Sequence, residues 1–235
     1  LKRYLADNTI SDTVILPLYG ALPFREQQRA IEPLPKDGPQ RKIVLATDIA
    51  ETSLTIEGIN VVIDAGLSRE PRFDPATGMT RLQTNRISQD SSVQRMGRAG
   101  RLTEGVCYRL WSEEQQQQLP KQSTPQILQA DLAPLLLQIM LWGIDDINEL
   151  QWLDTPPIGP LGQARDLLEN LGAITGATLS SEQPLQGWTL TPHGEQMAAM
   201  HTHPRLAHML ITSTQYQQTN NACALAAVLA DRHPL

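Results

Sequence analysis

Three short apolar runs constrain this chain more than any other feature: Val14-Ile15-Leu16-Pro17-Leu18, Lys42-Ile43-Val44-Leu45-Ala46-Thr47 and Ile59-Asn60-Val61-Val62-Ile63-Asp64. Each suits one strand and is too short for an ordinary helix. Pro23–Ile31 lies between the first two and reads as a helix with proline near its first turn, followed by a Lys36-Asp37-Gly38-Pro39 loop. Continuous apolar strands joined by crossovers predict a parallel sheet covered on both faces. Turn signals at Gly66, Asp74-Pro75 and Gly78 predict a protruding hairpin between 65 and 87, and Gly105–Trp111 returns as a strand. Residues 1–111 therefore read as one α/β lobe.

The character changes after Trp111. Gln115 to Gln118 is a polar tract that reads as a solvated helix end, and residues 126–142 read as one apolar helix stopped by Gly143. Gly162–Leu171 follows as a helix with Gly172 as its stop, then a short strand over Trp188–Thr191. Pro192–Met200, Pro204–Ile211 and Ala222–Ala230 read as further helices. Helices around a short strand or wing fit a winged-helix unit. The expected organisation is an α/β lobe at 1–111, a connecting helical segment at 112–158, a winged helix at 159–215, and a truncated helical bundle from 216 to 235.

Charge divides the same way. Residues 1–111 carry 15 Lys and Arg against 13 Asp and Glu, a net of +2, whereas residues 112–235 carry 4 against 12, a net of -8. Phosphate chemistry is therefore expected in the first half. Cys107 and Cys223 have no metal-ligand spacing and suit free thiols in a reducing cytoplasm. No run of about 18 apolar residues exists to cross a membrane. The start at Leu1-Lys2-Arg3-Tyr4 has neither an initiator Met nor a signal peptide, so an excerpt of a longer, cytoplasmic chain is expected.

Within the basic half, Gln94-Arg95-Met96-Gly97-Arg98-Ala99-Gly100-Arg101 is the most distinctive stretch. Positions 94, 98 and 101 are spaced to share one face of a helix. A buried core does not accept such a face, because unpaired Arg is almost never fully buried. A solvated helix would not carry Gly97 and Gly100, each of which costs roughly 1 kcal/mol against Ala. The stretch reads as a face that closes on a polyanion, phosphate above all.

A second stretch, Ala46 to Thr55, sets two carboxylates and four hydroxyls just after a strand, where open parallel sheets bind ligands. Such hydroxyls suit sugar-phosphate contacts or an N-capping loop. There is no phosphate-cradling Gly-rich loop ending in Lys-Ser/Thr, and no Asp-Glu pair placed to hold a metal. An arginine face without a cradle is expected to complete a nucleotide site held elsewhere, as an arginine finger does.

Ala46–Ile56 resembles motif V of the DEAH/RHA group of superfamily-2 helicases, Gln94–Arg101 resembles motif VI, and Leu16–Pro23 looks like the motif IV region. Gly105–Leu110, Leu171–Ile174 and Leu190–Gly194 extend the resemblance over essentially the whole chain, most of all to bacterial members. The resemblance implies a second RecA-like lobe, a winged helix and the start of a helical bundle. It implies ATP and Mg2+ bound mainly by an absent first lobe, which would be this chain's own partner. The other implied partner is single-stranded nucleic acid, RNA favoured over DNA, with no membrane.

By resemblance, Gln94 would orient the attacking water, and Arg98 and Arg101 would contact the γ-phosphate. Asp64, Ser53, Gly97 and Ile31 would stand near the nucleotide, with Ile31 where many relatives stack an aromatic. Thr47, Thr52, Arg69, Arg72 and Arg81 would grip the strand backbone. Arg95 points elsewhere on a helix and is expected to pair with Asp or Glu. Asp48 stands where many relatives have Asn, and Met96 where they often have Ala. The excerpt alone is expected to hydrolyse no ATP.

Two other readings compete. The chain could be a winged-helix adaptor with an inert α/β lobe, but residues 160–211 contain only Arg165 and Arg205 as basic residues, too few for a recognition helix. A metal enzyme using His201, His203 and His208 lacks a companion Cys or acidic cluster, so no metal site is expected.

Overall fold

The computed structural model describes residues 12–51, 54–75, 77–101, 104–177 and 186–230. The chain forms two compact units, one built from residues up to 72 together with 81–124, the other from 73–80 and 125 onward. In the first, strands β1 (Thr13–Leu18) and β2 (Arg41–Ala46) pair in parallel, from Thr13 opposite Arg41 to Leu18 opposite Ala46. Helix α1 (Phe24–Ile31) makes the crossover and buries Ala30. The Lys42 ammonium donates to the Ala30 and Glu32 carbonyls at 3.2 and 2.8 Å and so closes the end of that helix. Burial holds its pKa below the usual lysine value, against the opposing charge of Glu57.

Strands β3 (Val61–Asp64) and β6 (Val106–Arg109) form a second parallel pair. The expected parallel pairing is present, but coverage on both faces is not. Val61, Ile63, Val106 and Tyr108 stand opposite one another in register and are 49, 69, 51 and 57% exposed. An apolar run records that a strand can be buried; burial itself needs a second layer, and none among the described residues lies over this face. The expected hairpin is formed by β4 (Leu67–Asp74) and β5 (Met79–Arg86). Gly66 and Gly78 supply the positive φ of its turns, at +71° and +65°. Helices α2 (Gln89–Met96) and α3 (Glu113–Gln118) complete this unit. The polar tract is indeed a short solvated helix, opened by a capping box between Ser112 and Gln115.

The second unit has the larger apolar core. Its helices are α4 (Ala133–Leu141), α5 (Ile158–Asn170), α6 (Pro192–Ala199), α7 (Pro204–Gln215) and α8 (Thr219–Ala230). The single helix expected over 126–142 is broken: a 3-10 turn covers Gln126–Leu128 and α4 begins only at Ala133. Asp131 accepts from the Ala133 N–H at 2.9 Å, and Pro134, which has no N–H to give, sits in the first turn. Leu136, Leu137 and Ile139 from α4 pack with Leu161, Ala164 and Leu168 from α5 and Met197 from α6. A strand not expected from sequence, β7 (Ile174–Gly176), pairs antiparallel with β8 (Trp188–Leu190). Three residues are too few to show a period.

His203 ties two helix starts in this unit together. Its Nδ1 accepts from the Arg205 N–H at the start of α7, and its Nε2 lies 2.8 Å from Asp131, the carboxylate that caps α4. Burial raises the Asp131 pKa, but the hydrogen bonds from His203 and the Ala133 N–H, with the charges of His203 and Arg205, outweigh it and hold the carboxyl below its usual value. A carboxylate lowered on folding stabilises above its unfolded pKa and loses that contribution as pH falls through the folded value. Asp131→Ala is expected to cost about 1 kcal/mol near neutral pH. Urea titrations should show the gap from the parent protein constant above about pH 4 and closing below it.

Candidate functional site

The site is built on α2 and the turn that leaves it. Ser88 caps the helix, its hydroxyl accepting from the Ser91 N–H at 3.1 Å, and the Gln89 side chain donates to the Leu119 carbonyl at 2.9 Å. The helix ends at Met96, so Gln94, Arg98 and Arg101 do not share one helical face as their spacing suggested. The Gly97 N–H completes the last helical bond to Val93, after which Arg98 and Ala99 make tighter bonds to Arg95 and Met96 at 3.1 Å. Two glycines remove the helical preference at the point where the chain must turn toward β6.

The close approach that glycine permits occurs at a position not singled out from sequence. A Cβ on Gly105 would stand 2.1 Å from the Ala99 carbonyl oxygen, whereas nothing lies within 4 Å of one on Gly100. Gly105 thus lets β6 start directly against the turn that carries Arg98 and Arg101. Its signal in the sequence was its place at the head of a strand that follows a basic turn.

All three arginines reach the loop that follows β2. The Arg95 guanidinium donates to Glu51 Oε2 from Nε at 2.9 Å, to Asp48 Oδ1 from Nη2 at 2.9 Å, and to Asp64 Oδ1 and the Leu67 carbonyl from Nη1 at 3.1 and 3.0 Å. The expected pairing of Arg95 with carboxylates is therefore present. Burial works against its charge, but Glu51 and Asp64 outweigh it and raise its pKa. Arg98 donates from Nη1 to the Leu54 carbonyl at 2.5 Å and from Nη2 to the Glu51 carbonyl. Its pKa is lowered by burial and by the neighbouring Arg101 charge, against the pull of Glu51. Arg101 donates from Nη1 to Thr55 Oγ1 at 2.6 Å.

The remaining expected site residues are distributed as follows. Gln94 is exposed on α2, and Gly97 is exposed at its end. Thr47 is exposed at the carboxyl end of β2; its N–H donates to the Leu18 carbonyl, and its side chain does not cap the turn at Asp48–Ala50. Thr52 and Ser53 lie outside the described residues. Asp64 is only 4% exposed, with Oδ1 accepting from the Gly66 N–H at 2.9 Å as well as from Arg95. Its other oxygen, Oδ2, is buried without a hydrogen-bond partner among the described residues. Ile31 is half-buried at the end of α1, where its carbonyl accepts from Glu57. Arg69, Arg72 and Arg81 are exposed on the hairpin, with Arg72 reaching Gln83 at 3.4 Å.

The structure thus brings Asp48, Glu51, Asp64, Arg95, Arg98 and Arg101 into one polar cluster. Asp48, which stands where many relatives have Asn, is a partner of Arg95. No group of three His, Cys, Asp or Glu among the described residues could hold a metal ion. Of the three histidines considered for one, His203 contacts Asp131 and His208 contacts His193. No helix among the described residues is long and apolar enough to cross a membrane.

Residues 1–103 match the helicase conserved C-terminal domain. The chain is 45% identical to the ATP-dependent RNA helicase HrpB of Escherichia coli K12 over 98% of its own length and 27% of that protein's. It is 33% identical to the mouse (Mus musculus) ATP-dependent RNA helicase DHX33, over 98% of this chain and 32% of that one. The crystal structure of the Escherichia coli DEAH/RHA helicase HrpB superposes with a TM-score of 0.85 at 43% identity, covering all of this chain and 28% of that one. The chain spans about a quarter to a third of the length of these relatives.

The close approach at Gly105 gives a direct test of the local construction. Gly105→Ala is expected to destabilise the first unit by about 1–3 kcal/mol through overpacking, seen as lost hydrogen-exchange protection in β3 and β6 while α4 and α5 stay protected.

Proposed function

We propose that the chain belongs to the DEAH/RHA helicase family and supplies the second motor lobe and accessory domains of an ATP-dependent, cytoplasmic RNA helicase. Residues 1–111 are the lobe, 112–158 a connecting segment, 159–215 the winged helix and 216–235 the start of a helical bundle. The observation that carries this reading is the convergence of Arg95, Arg98 and Arg101 on the loop after β2. Guanidiniums gathered at the carboxyl edge of a parallel pair, next to exposed Thr47, suit a polyanion presented from across a cleft.

ATP is the substrate and is held between this lobe and a first lobe. Gln94, exposed on α2, orients the attacking water. Arg98 and Arg101 exchange their contacts with Leu54, Glu51 and Thr55 for oxygens of the γ-phosphate. Their charge then offsets the charge that builds on the transferred group. Gly97 and Ser53 line the nucleotide, and Ile31 offers apolar contact only. Asp64 is too deeply buried to meet the ribose directly, so it acts through Arg95. Mg2+ is held mainly by the first lobe.

Thr47 and Thr52, with Arg69, Arg72 and Arg81 on the hairpin, hold the backbone of a single strand. Contacts of that kind position a strand without reading it. The relatives are named ATP-dependent RNA helicases, which supports RNA as that strand.

In the full-length protein, Arg98→Ala or Arg101→Ala is expected to lower kcat about 10³-fold or more while strand affinity stays within a few-fold. Lost binding with retained hydrolysis would mean the arginines serve the strand and not the nucleotide. Binding measured by fluorescence anisotropy should weaken steeply with salt and differ little among strands of different sequence. A strong sequence preference would contradict backbone contacts.

A further inference from the structure

We propose that Arg95 is a positioning residue for hydrolysis, its guanidinium pinned by Asp48, Glu51 and Asp64 so that Arg98 and Arg101 are aimed from a fixed point. This rests on the finger reading above and extends it to a residue that does not touch nucleotide. Three of the planar cation's nitrogens are used, each on a different carboxylate, and one of them also reaches the Leu67 carbonyl. The partners come from the loop after β2 and from the end of β3 with the start of β4, so the guanidinium is located in all three directions. A lysine ammonium, with three donors on one atom and no planar fork, could not reproduce these four contacts. Arg95 lies one turn before Arg98, at the end of α2, so whatever fixes Arg95 fixes the origin of the turn 97–101.

The partners are not equivalent. The side chains of Asp64, Glu51 and Arg95 are 2, 15 and 16% exposed, whereas Asp48 is 44% exposed. Asp64 and Glu51 are the buried anchors, and Asp48 is the arm that solvent reaches. Glu51 has a second task, because its carbonyl accepts from Arg98. The loop that would grip the strand and the turn that would meet the phosphate are therefore joined at Glu51, whose carboxylate takes Arg95 and whose carbonyl takes Arg98. Removing Arg95 leaves two buried carboxylates without their cation, which harms folding as well as aim. A test must separate the two.

In the full-length protein at saturating RNA, Arg95→Met is expected to lower kcat about 10- to 100-fold with KM for ATP within about threefold, as expected for misaimed transition-state groups. The combined variant Arg95→Met, Glu51→Gln, Asp64→Asn leaves no buried charge unpaired. It should recover most of the lost Tm yet keep the low kcat. Recovery of kcat together with Tm would overturn the proposal, because the role would then be stability alone. If the triple variant does not fold, Asp48→Asn decides: a drop in kcat of about two- to fivefold at unchanged KM and Tm supports the proposal, and an unchanged kcat overturns it. Arg98→Ala is measured alongside. Retained kcat there defeats the finger reading itself, whereas collapse there with normal turnover in Arg95→Met defeats only the positioning role.

Discussion

Arg95 is the point on which the first unit's polar architecture depends. It lies in an environment too dry for an unpaired cation, among carboxylates that could not be gathered there without one. Buried ion pairs contribute little to net stability, because the cost of taking both partners from water roughly offsets their attraction. What they do supply is exclusivity. Only one placement of α2 against the loop after β2 satisfies the three carboxylates, and other placements leave charge buried and alone. The same chemistry explains why Asp64 can be 4% exposed at the end of a strand.

The rest of that edge follows from this constraint. With α2 fixed, the glycine-bearing turn must reverse the chain toward β6, and Gly105 lets the strand begin against the Ala99 carbonyl. Arg98 and Arg101 leave the turn toward the same loop, where carbonyl oxygens and a threonine hydroxyl receive them. These neutral acceptors hold a guanidinium more weakly than a carboxylate would. Arg95 is thus held by carboxylates, whereas Arg98 and Arg101 reach carbonyl and hydroxyl oxygens of the same loop.

The second unit is organised by different means. Its core is apolar and layered from α4, α5, α6, α7 and the β7–β8 pair, and its polar specificity is spent at helix ends. Asp131 and His203 illustrate this: one carboxylate caps α4, one imidazole caps α7, and a single contact at 2.8 Å joins them.

Much of this was legible in the residues. Apolar runs marked β1, β2, β3 and β6, Pro and Gly marked most helix ends, and the density of Arg between 95 and 101 marked the site, because each rests on chemistry local to a few positions. Even the pairing of Arg95 with acids followed from its offset on a helix. What tertiary structure alone decided is which acids, since Asp48, Glu51 and Asp64 lie 47, 44 and 31 positions away in the chain. It also ended α2 at Met96, started α4 at Ala133, buried Asp64 and left one face of the β3–β6 pair bare. Those outcomes depend on which distant surface arrives against a given segment. Periodicity and propensity carry no information about such arrivals, because they are settled only when charges and carbonyls far apart in sequence find their partners.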